Sequence, residues 1–151
     1  MEGLDFKILV DADACPVKAE LVRLARDRGI ELVFFIDTSH ILEDAYAKIV
    51  VVGQGSDSVD FALINQTQKG DIVVTQDYGL AAMALSKGAR AVHPSGLIYS
   101  KDNMDRLLFE RHINAKIRRA GGRHRGPGKR KAEDSINFEE SLKILLDRQP
   151  E

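Results

Sequence analysis

Short apolar runs separated by amphipathic stretches limit this chain to a narrow set of folds. Runs at 6–11, 31–37, 48–52, 71–75 and 89–93 have strand length, and between them the apolar period changes to that of a helix. The segment 16–28 is expected to be helical, with Pro16 at its first position, apolar Val17, Leu21, Leu24 and Ala25 on one face, and Gly29 closing it. A second helix is expected over about 56–68 with Ser56 as its N-cap, and a short one over 80–86 ending at Gly88. Apolar strands alternating with helices imply a parallel sheet covered on both faces, hence a three-layer α/β fold. Right-handed crossovers deliver every strand's C-terminal end to one edge, where ligands bind in open sheets.

The last third reads differently. A helix over 102–120 places Met104, Leu107 and Leu108 on one face but Ile113 and Ile117 on the opposite side. Either it breaks near His112, or its second half packs elsewhere, a partner copy included, which would make a homo-oligomer through 102–120. The stretch G-G-R-H-R-G-P-G-K-R-K at 121–131 has no apolar residue to anchor it, so a basic Gly/Pro loop is expected over about 121–134. A final helix over about 137–148, opening on N-F-E-E, presents Phe138, Leu142, Leu145 and Leu146 to the body as a helical C-terminal extension. All of 1–151 reads as one domain.

Charge is distributed unevenly. The formal net charge is −1, yet residues 1–110 carry 11 Lys/Arg against 17 Asp/Glu, whereas 111–132 carry nine Lys/Arg and no acid. Such a basic segment often meets phosphate, though a solvated helix end and loop would look the same. One cysteine excludes an internal disulfide framework and fits a reducing compartment. No apolar run approaches the ~20 residues of a membrane helix, and M-E-G-L-D is no signal pattern. A cytoplasmic protein with no membrane partner is expected.

The chemistry is expected at the strand ends. I-L-V-D-A-D at 8–13 finishes in Asp11 and Asp13, two apart, which in an extended chain share a side with Cα atoms ~7 Å apart. Two such carboxylates repel unless a cation or a shared proton intervenes. The third strand leads into S-D-S-V-D, with Asp57 and Asp60 three apart at a helix start, and the fourth ends in T-Q-D at Asp77. If the sheet is as expected, all five acids converge on one edge and offer hard oxygen ligands to Mg²⁺ or Mn²⁺. Structural roles compete: Asp57 and Asp60 suit a helix dipole, and Asp77 suits a helix cap. Asp37 also ends a strand but precedes a long polar loop, leaving it an outside candidate; Asp71 begins its strand at the opposite edge and is excluded.

Cys15, next to a helix start, is more simply a buried packing residue than a nucleophile, because C-P-V-K-A-E-L has neither the arginine nor the cradle of a phosphatase loop. His40, beside Ser39, could touch a phosphate. No zinc spacing and no P-loop occur.

The run D-A-D-A-C-P-V-K at 11–18 is distinctive, and with G-S-D-S-V-D at 55–60, G-D-I-V-V-T-Q-D-Y-G-L-A at 70–81 and G-G-R-H-R-G-P at 121–127 it resembles the bacterial YaiI/YqxD family over nearly the whole chain. That family looks like a relative of the PIN-type nucleases, which gather acids from the first strand end, a helix after the third strand and the fourth strand end. The resemblance implies a PIN-like sheet, with Asp11, Asp60 and Asp77 matching the PIN acids and Asp13 and Asp57 as additions. Many PIN-like proteins bind Mg²⁺ or Mn²⁺ and cut RNA. The fourth PIN acid has no obvious counterpart, and the basic Gly/Pro segment is not a PIN feature.

The first expectation is therefore a metal-dependent nuclease or phosphodiesterase acting on RNA. Asp11, Asp13, Asp60 and Asp77 would be catalytic, with Asp57 joining them around the metal. Arg118, Arg119, Arg123, Arg125, Lys129, Arg130 and Lys131 would hold the nucleic-acid backbone. One alternative is a haloacid-dehalogenase-like phosphatase, in which Asp11 attacks phosphorus and Asp13 is the acid. Another is a non-catalytic PIN-like module that binds RNA without turnover.

Overall fold

A computed structural model describes residues 6–55, 57–121 and 130–148. Six strands, β1 (Lys7–Asp11), β2 (Glu31–Asp37), β3 (Lys48–Val52), β4 (Ile72–Val74), β5 (Arg90–Val92) and β6 (Ile98–Tyr99), form one sheet in the order β3-β2-β1-β4-β5-β6. The first five are mutually parallel; β6 runs antiparallel to β5. Five helices accompany them: α1 (Lys18–Arg28), α2 (Ser58–Gln66), α3 (Tyr78–Ser86), α4 (Lys101–Arg119) and α5 (Ala132–Asp147).

Strand alternation divides the core. Ile8 and Val10 of β1, with Phe34 of β2, point towards α1 and α5. Leu9 and Phe35 point the other way, onto α2, α3 and α4. A right-handed crossover puts its helix on one face when the chain moves one way along the sheet, and on the other face when it moves back. The β1-to-β2 step therefore places α1 on one side, while the return steps to β4 and β5 place α2 and α3 on the opposite side. The order reverses between β1 and β4, so the switch point lies between the ends of those two strands.

Several element boundaries differ from the sequence-based expectation, each for a local reason. The first helix begins at Lys18 instead of Pro16, because Val17, at φ −116°, lies outside the helical region and the chain turns there. The second ends at Gln66, where Thr67 turns extended and its hydroxyl donates to the Leu63 carbonyl at 2.8 Å; Ser56 lies outside the described residues. The third begins at Tyr78, two residues early. The last begins at Ala132, well before 137, where Asp134 accepts the Lys131 N–H at 2.9 Å. Acidic Glu133 and Asp134 in that first turn suit the helix dipole. Its apolar face is as expected, with Phe138, Leu142, Leu145 and Leu146 all buried.

The two-residue β6 has no strand-length apolar signature and was not foreseen. The turn before it depends on Gly96, whose φ of +102° favours glycine and where a Cβ would sit 2.8 Å from the Asn137 backbone of α5. Helix α4 does not break near His112. It runs unbroken from a capping box in which Ser100 Oγ accepts the Asn103 N–H and Asn103 Oδ1 accepts that of Ser100. Met104 and Leu107 are buried, while Phe109, Ile113 and Ile117 are exposed. No helix among the described residues is long and apolar enough to cross a membrane.

Candidate functional site

Asp11 is the last residue of β1, and its neighbour across the switch point is Thr75, just beyond β4. Thr75 is buried and its hydroxyl faces two ways. It donates to Asp11 Oδ2 at 3.2 Å and accepts the Asp77 N–H at 3.0 Å. Its carbonyl accepts the Tyr99 hydroxyl at 3.1 Å. One residue on, Gln76 Nε2 donates to the Ala14 carbonyl at 3.0 Å, tying the two strand-end loops together. Thr75 and Gln76 were not foreseen, although the T-Q-D sequence places both beside a predicted site acid.

Asp77 has a structural role as well as its place at the site. Its Oδ1 accepts the N–H groups of Gly79 and Leu80 at 2.8 and 3.3 Å, which makes it the N-cap of α3. Oδ2 is not used by that cap. Asp57 stands at the N-cap position of α2 without making a side-chain capping bond, and Asp60 follows in the first turn.

Burial, then Asp77, Asp11 and Asp57 in that order, push the Asp60 carboxyl up to about 6. Asp11 is raised too: burial outweighs the Thr75 hydrogen bond, and Asp13 and Asp77 add repulsion. Asp60 thus feels the charges of Asp77 and Asp11, and Asp11 that of Asp77.

Asp13 leads to a second knot. The chain leaves the strand after Asp11 and turns at Asp13, so the period of two that would align the pair no longer applies. His40 Nδ1 lies 3.3 Å from Asp13 Oδ1 and 3.1 Å from Asp37 Oδ1. Asp13, Asp37 and His40 offer ligand atoms that all lie within 4.8 Å of one another. Asp13 Oδ1 is buried and accepts no hydrogen bond there. The Ser39 hydroxyl, then His40 and the Ser39 N–H, hold Asp37 below the ordinary carboxylate range. Asp37, an outside candidate from sequence, thus sits closer to Asp13 than the sequence suggested.

A cavity of about 590 Å³ opens at this edge. Asp11, Asp13, Gln76, Asp77 and Tyr78 line it from the strand ends, while α4 contributes Leu107, Glu110, Arg111, Asn114 and Arg118. Asp57 and Asp60 are not among its lining residues. The α4 positions 107, 111, 114 and 118 form one stripe of a helix, a signal present in the sequence but hidden among the charges of an exposed face. Of the other predicted backbone-binding cations, Arg119 ends α4 and Lys131 is the N-cap residue of α5. Arg130 donates to the Pro94 carbonyl and to Ser135 Oγ, both at 2.9 Å, which fastens the start of α5 to the β5–β6 turn. Arg123, Arg125 and Lys129 lie outside the described residues. Cys15 is a buried packing residue, and burial pushes its thiol up, away from the thiolate.

These features define a mixed α/β protein with an acid-lined cavity at the carboxyl edge of a mostly parallel sheet. Residues 9–148 match the family described as "Uncharacterized BCR, YaiI/YqxD family", and the chain belongs to it. It is 55% identical over 143 residues to a UPF0178 protein of Lachnoclostridium phytofermentans, covering 93% of this chain and 96% of the relative. A UPF0178 protein of Clostridium acetobutylicum is 52% identical over 144 residues, covering 94% and 97%. No solved structure matches the chain.

Proposed function

We propose that this protein is a PIN-like, metal-dependent nuclease or phosphodiesterase acting on RNA through Asp11, Asp60 and Asp77. The observation that carries the reading is the gathering of these carboxylates at the switch point, where burial first, and then the charges of Asp77 and Asp11, raise the Asp60 carboxyl to about 6. Asp77 caps α3 and Asp11 accepts one hydroxyl, but neither role requires Asp60 to stand within the field of both. The donors are of the kind a hard divalent cation takes, carboxylate oxygens that include the Asp77 Oδ2 left over from capping, while the trio already within 4.8 Å of one another beside them is Asp13, Asp37 and His40. Bound there, Mg²⁺ or Mn²⁺ would neutralise the acids, polarise a phosphodiester and lower the pKa of an attacking water.

The protein's own groups have distinct parts. Thr75 holds Asp11 and the Asp77 loop in a fixed relation through its single hydroxyl. Gln76 fixes the spacing of the strand-end loops, and buried Leu107 excludes water from one side of the cavity. Arg118, at the cavity, supplies a cation for the substrate backbone, as would Arg119 and the basic segment beyond it. The phosphatase reading has less support, since Asp13 leans towards His40 and Asp37.

Incubating the full-length protein with a mixed RNA pool, with and without Mn²⁺ or Mg²⁺, tests the proposal beside phosphate release from a monoester. Metal-dependent RNA cleavage, abolished by Asp11→Asn, is the expected outcome. Phosphate release from the monoester alone would favour the phosphatase, and RNA binding without cleavage the silent module.

A further inference from the structure

The cavity carries four acids among its lining residues, Asp11, Asp13, Asp77 and Glu110, on a body whose first 110 residues are already acidic. Such a surface repels a polyanion, so any phosphate chain that enters needs cations at fixed positions. Arg111 and Arg118 line the same cavity, with Asn114 between them on the stripe. Among the described residues neither arginine forms an ion pair; the neighbouring acid on α4, Glu110, is taken by Arg106 at 3.1 Å. Arg111 and Arg118 are seven residues apart, which is about 10.5 Å along a helix axis. Two cations so separated engage two backbone phosphates, and a dinucleotide, with a single internucleotide phosphate, can meet only one of them at a time.

Tyr78 supplies a different contact. It lines the cavity directly beside Asp77, and Tyr99 braces its ring edge-on at a centroid distance of 6.0 Å and an angle of 70°. A held aromatic face next to the acids is a stacking platform for one base, tolerant of its identity.

We infer that Arg111, Asn114 and Arg118 of α4, with the Tyr78 ring, form the strand-reading wall of the site, which selects polynucleotides of several residues over mononucleotides and dinucleotides. This rests on the nuclease reading above. Arg111 and Arg118 take backbone phosphates to one side of the acids, Asn114 donates between them, and Tyr78 stacks the base nearest the acids.

Fluorescence anisotropy in EDTA, where metal-dependent cleavage does not run, tests this with a labelled single-stranded RNA octanucleotide and a labelled dinucleotide. The full-length protein is compared with Arg111→Gln, Arg118→Gln, Tyr78→Ala and, as a control on the same helix away from the cavity, Lys101→Gln. Each arginine variant should weaken the octanucleotide about fivefold and flatten its log–log salt slope by about 0.7, leaving the dinucleotide within about twofold. Tyr78→Ala should weaken both ligands about tenfold with the slope unchanged. Lys101→Gln should do neither. Both arginines are exposed, so thermal melts of their variants should match the parent.

Equal losses for octanucleotide and dinucleotide, or a Lys101→Gln effect equal to that of Arg118→Gln, would overturn the inference. RNA cleavage by the parent with octanucleotide affinity untouched in both arginine variants would remove the reading wall and leave the nuclease. Arginine-dependent octanucleotide binding by a protein that never cuts RNA would do the reverse. A parent that neither binds an oligonucleotide nor cuts RNA with Mn²⁺ or Mg²⁺ overturns both.

Discussion

The two edges of the sheet treat aspartate in opposite ways, although β1 and β4 supply both. At the amino edge Asp71 is buried to 2% exposure and fully partnered: Lys7 Nζ lies at 2.8 Å, and the N–H groups of Lys7 and Gln68 donate at 3.0 and 2.8 Å. At the carboxyl edge Asp11 has one hydroxyl donor, and Asp60 faces three other acids. An acid that serves the fold comes with its partners built in. Acids that a fold gathers with few partners cost stability, and this one gathers Asp11 and Asp60 near the switch point, where open sheets bind ligands.

The largest effect should come from breaking the satisfied edge. Asp71→Ala leaves Lys7, 17% exposed, and two backbone donors without their acceptor, which should cost about 3–5 kcal/mol of stability in urea unfolding. The corresponding change at the other edge, Asp11→Asn, should cost far less and could raise the metal-free stability. Equal losses at both edges would erase the contrast between them.

Next comes the cation. If the carboxyl edge is a binding site, Mg²⁺ or Mn²⁺ at about a hundred times its dissociation constant should stabilise the protein by about 2.7 kcal/mol. Differential scanning fluorimetry should show the rise in melting temperature, lessened in Asp11→Asn and unchanged in a variant remote from the site such as Lys143→Gln. A melting curve indifferent to millimolar metal would leave the crowding without a purpose.

The third effect is one of pH. Asp60 rises to about 6 in the fold against 3.8 for the ordinary group, so the folded state binds its proton more tightly than the unfolded chain does. Its contribution is therefore fully present below about pH 4 and is lost as pH rises through about 6. After solvent screening of this partly exposed group, the loss should be about 1 kcal/mol. Asp60→Asn should remove that slope and raise metal-free stability at pH 7 by a similar amount, with little effect at pH 4, as urea unfolding across the range would show.

Much of this contrast was legible in the sequence, for reasons that also mark its limits. Strands β2 and β3 fall on the predicted residues because a continuous apolar run bounded by polar residues specifies both period and length. The placing of Asp11 and Asp77 at strand ends follows from the same runs, as does the exclusion of Asp71. The knot of Asp13, Asp37 and His40 was not legible as a unit, because it joins two loops 24 residues and more apart through a turn that overrides the strand period. Nor was the place of Arg111 and Asn114 at the cavity. On an exposed helix a charge next to water and a charge next to a cavity have the same sequence, and only the packing of Met104 and Leu107 decides which way the stripe points. The early start of α5 at Ala132 was masked by the basic segment before it, whose composition reads as loop.

The smallest effect probes whether Asp57 belongs to the fold or to the crowd. It is exposed at the N-cap position of α2 and makes no side-chain capping bond, so its favourable part is limited to the helix dipole, a few tenths of a kcal/mol in water. Against that stands its repulsion of Asp60, the third of the charges that raise that carboxyl. The two effects have opposite signs and similar size, so Asp57→Asn should change stability at pH 7 by less than about 0.5 kcal/mol. Stability alone therefore cannot assign it. The Asp60 titration can, followed through its side-chain carboxyl by NMR in the metal-free protein. Asp57→Asn should move that midpoint down from about 6 towards the ordinary range, by less than loss of Asp77 does, because Asp77 is the larger charge effect. An unmoved midpoint with a measurable loss of helix stability would return Asp57 to the dipole and leave Asp11, Asp60 and Asp77 as the crowd.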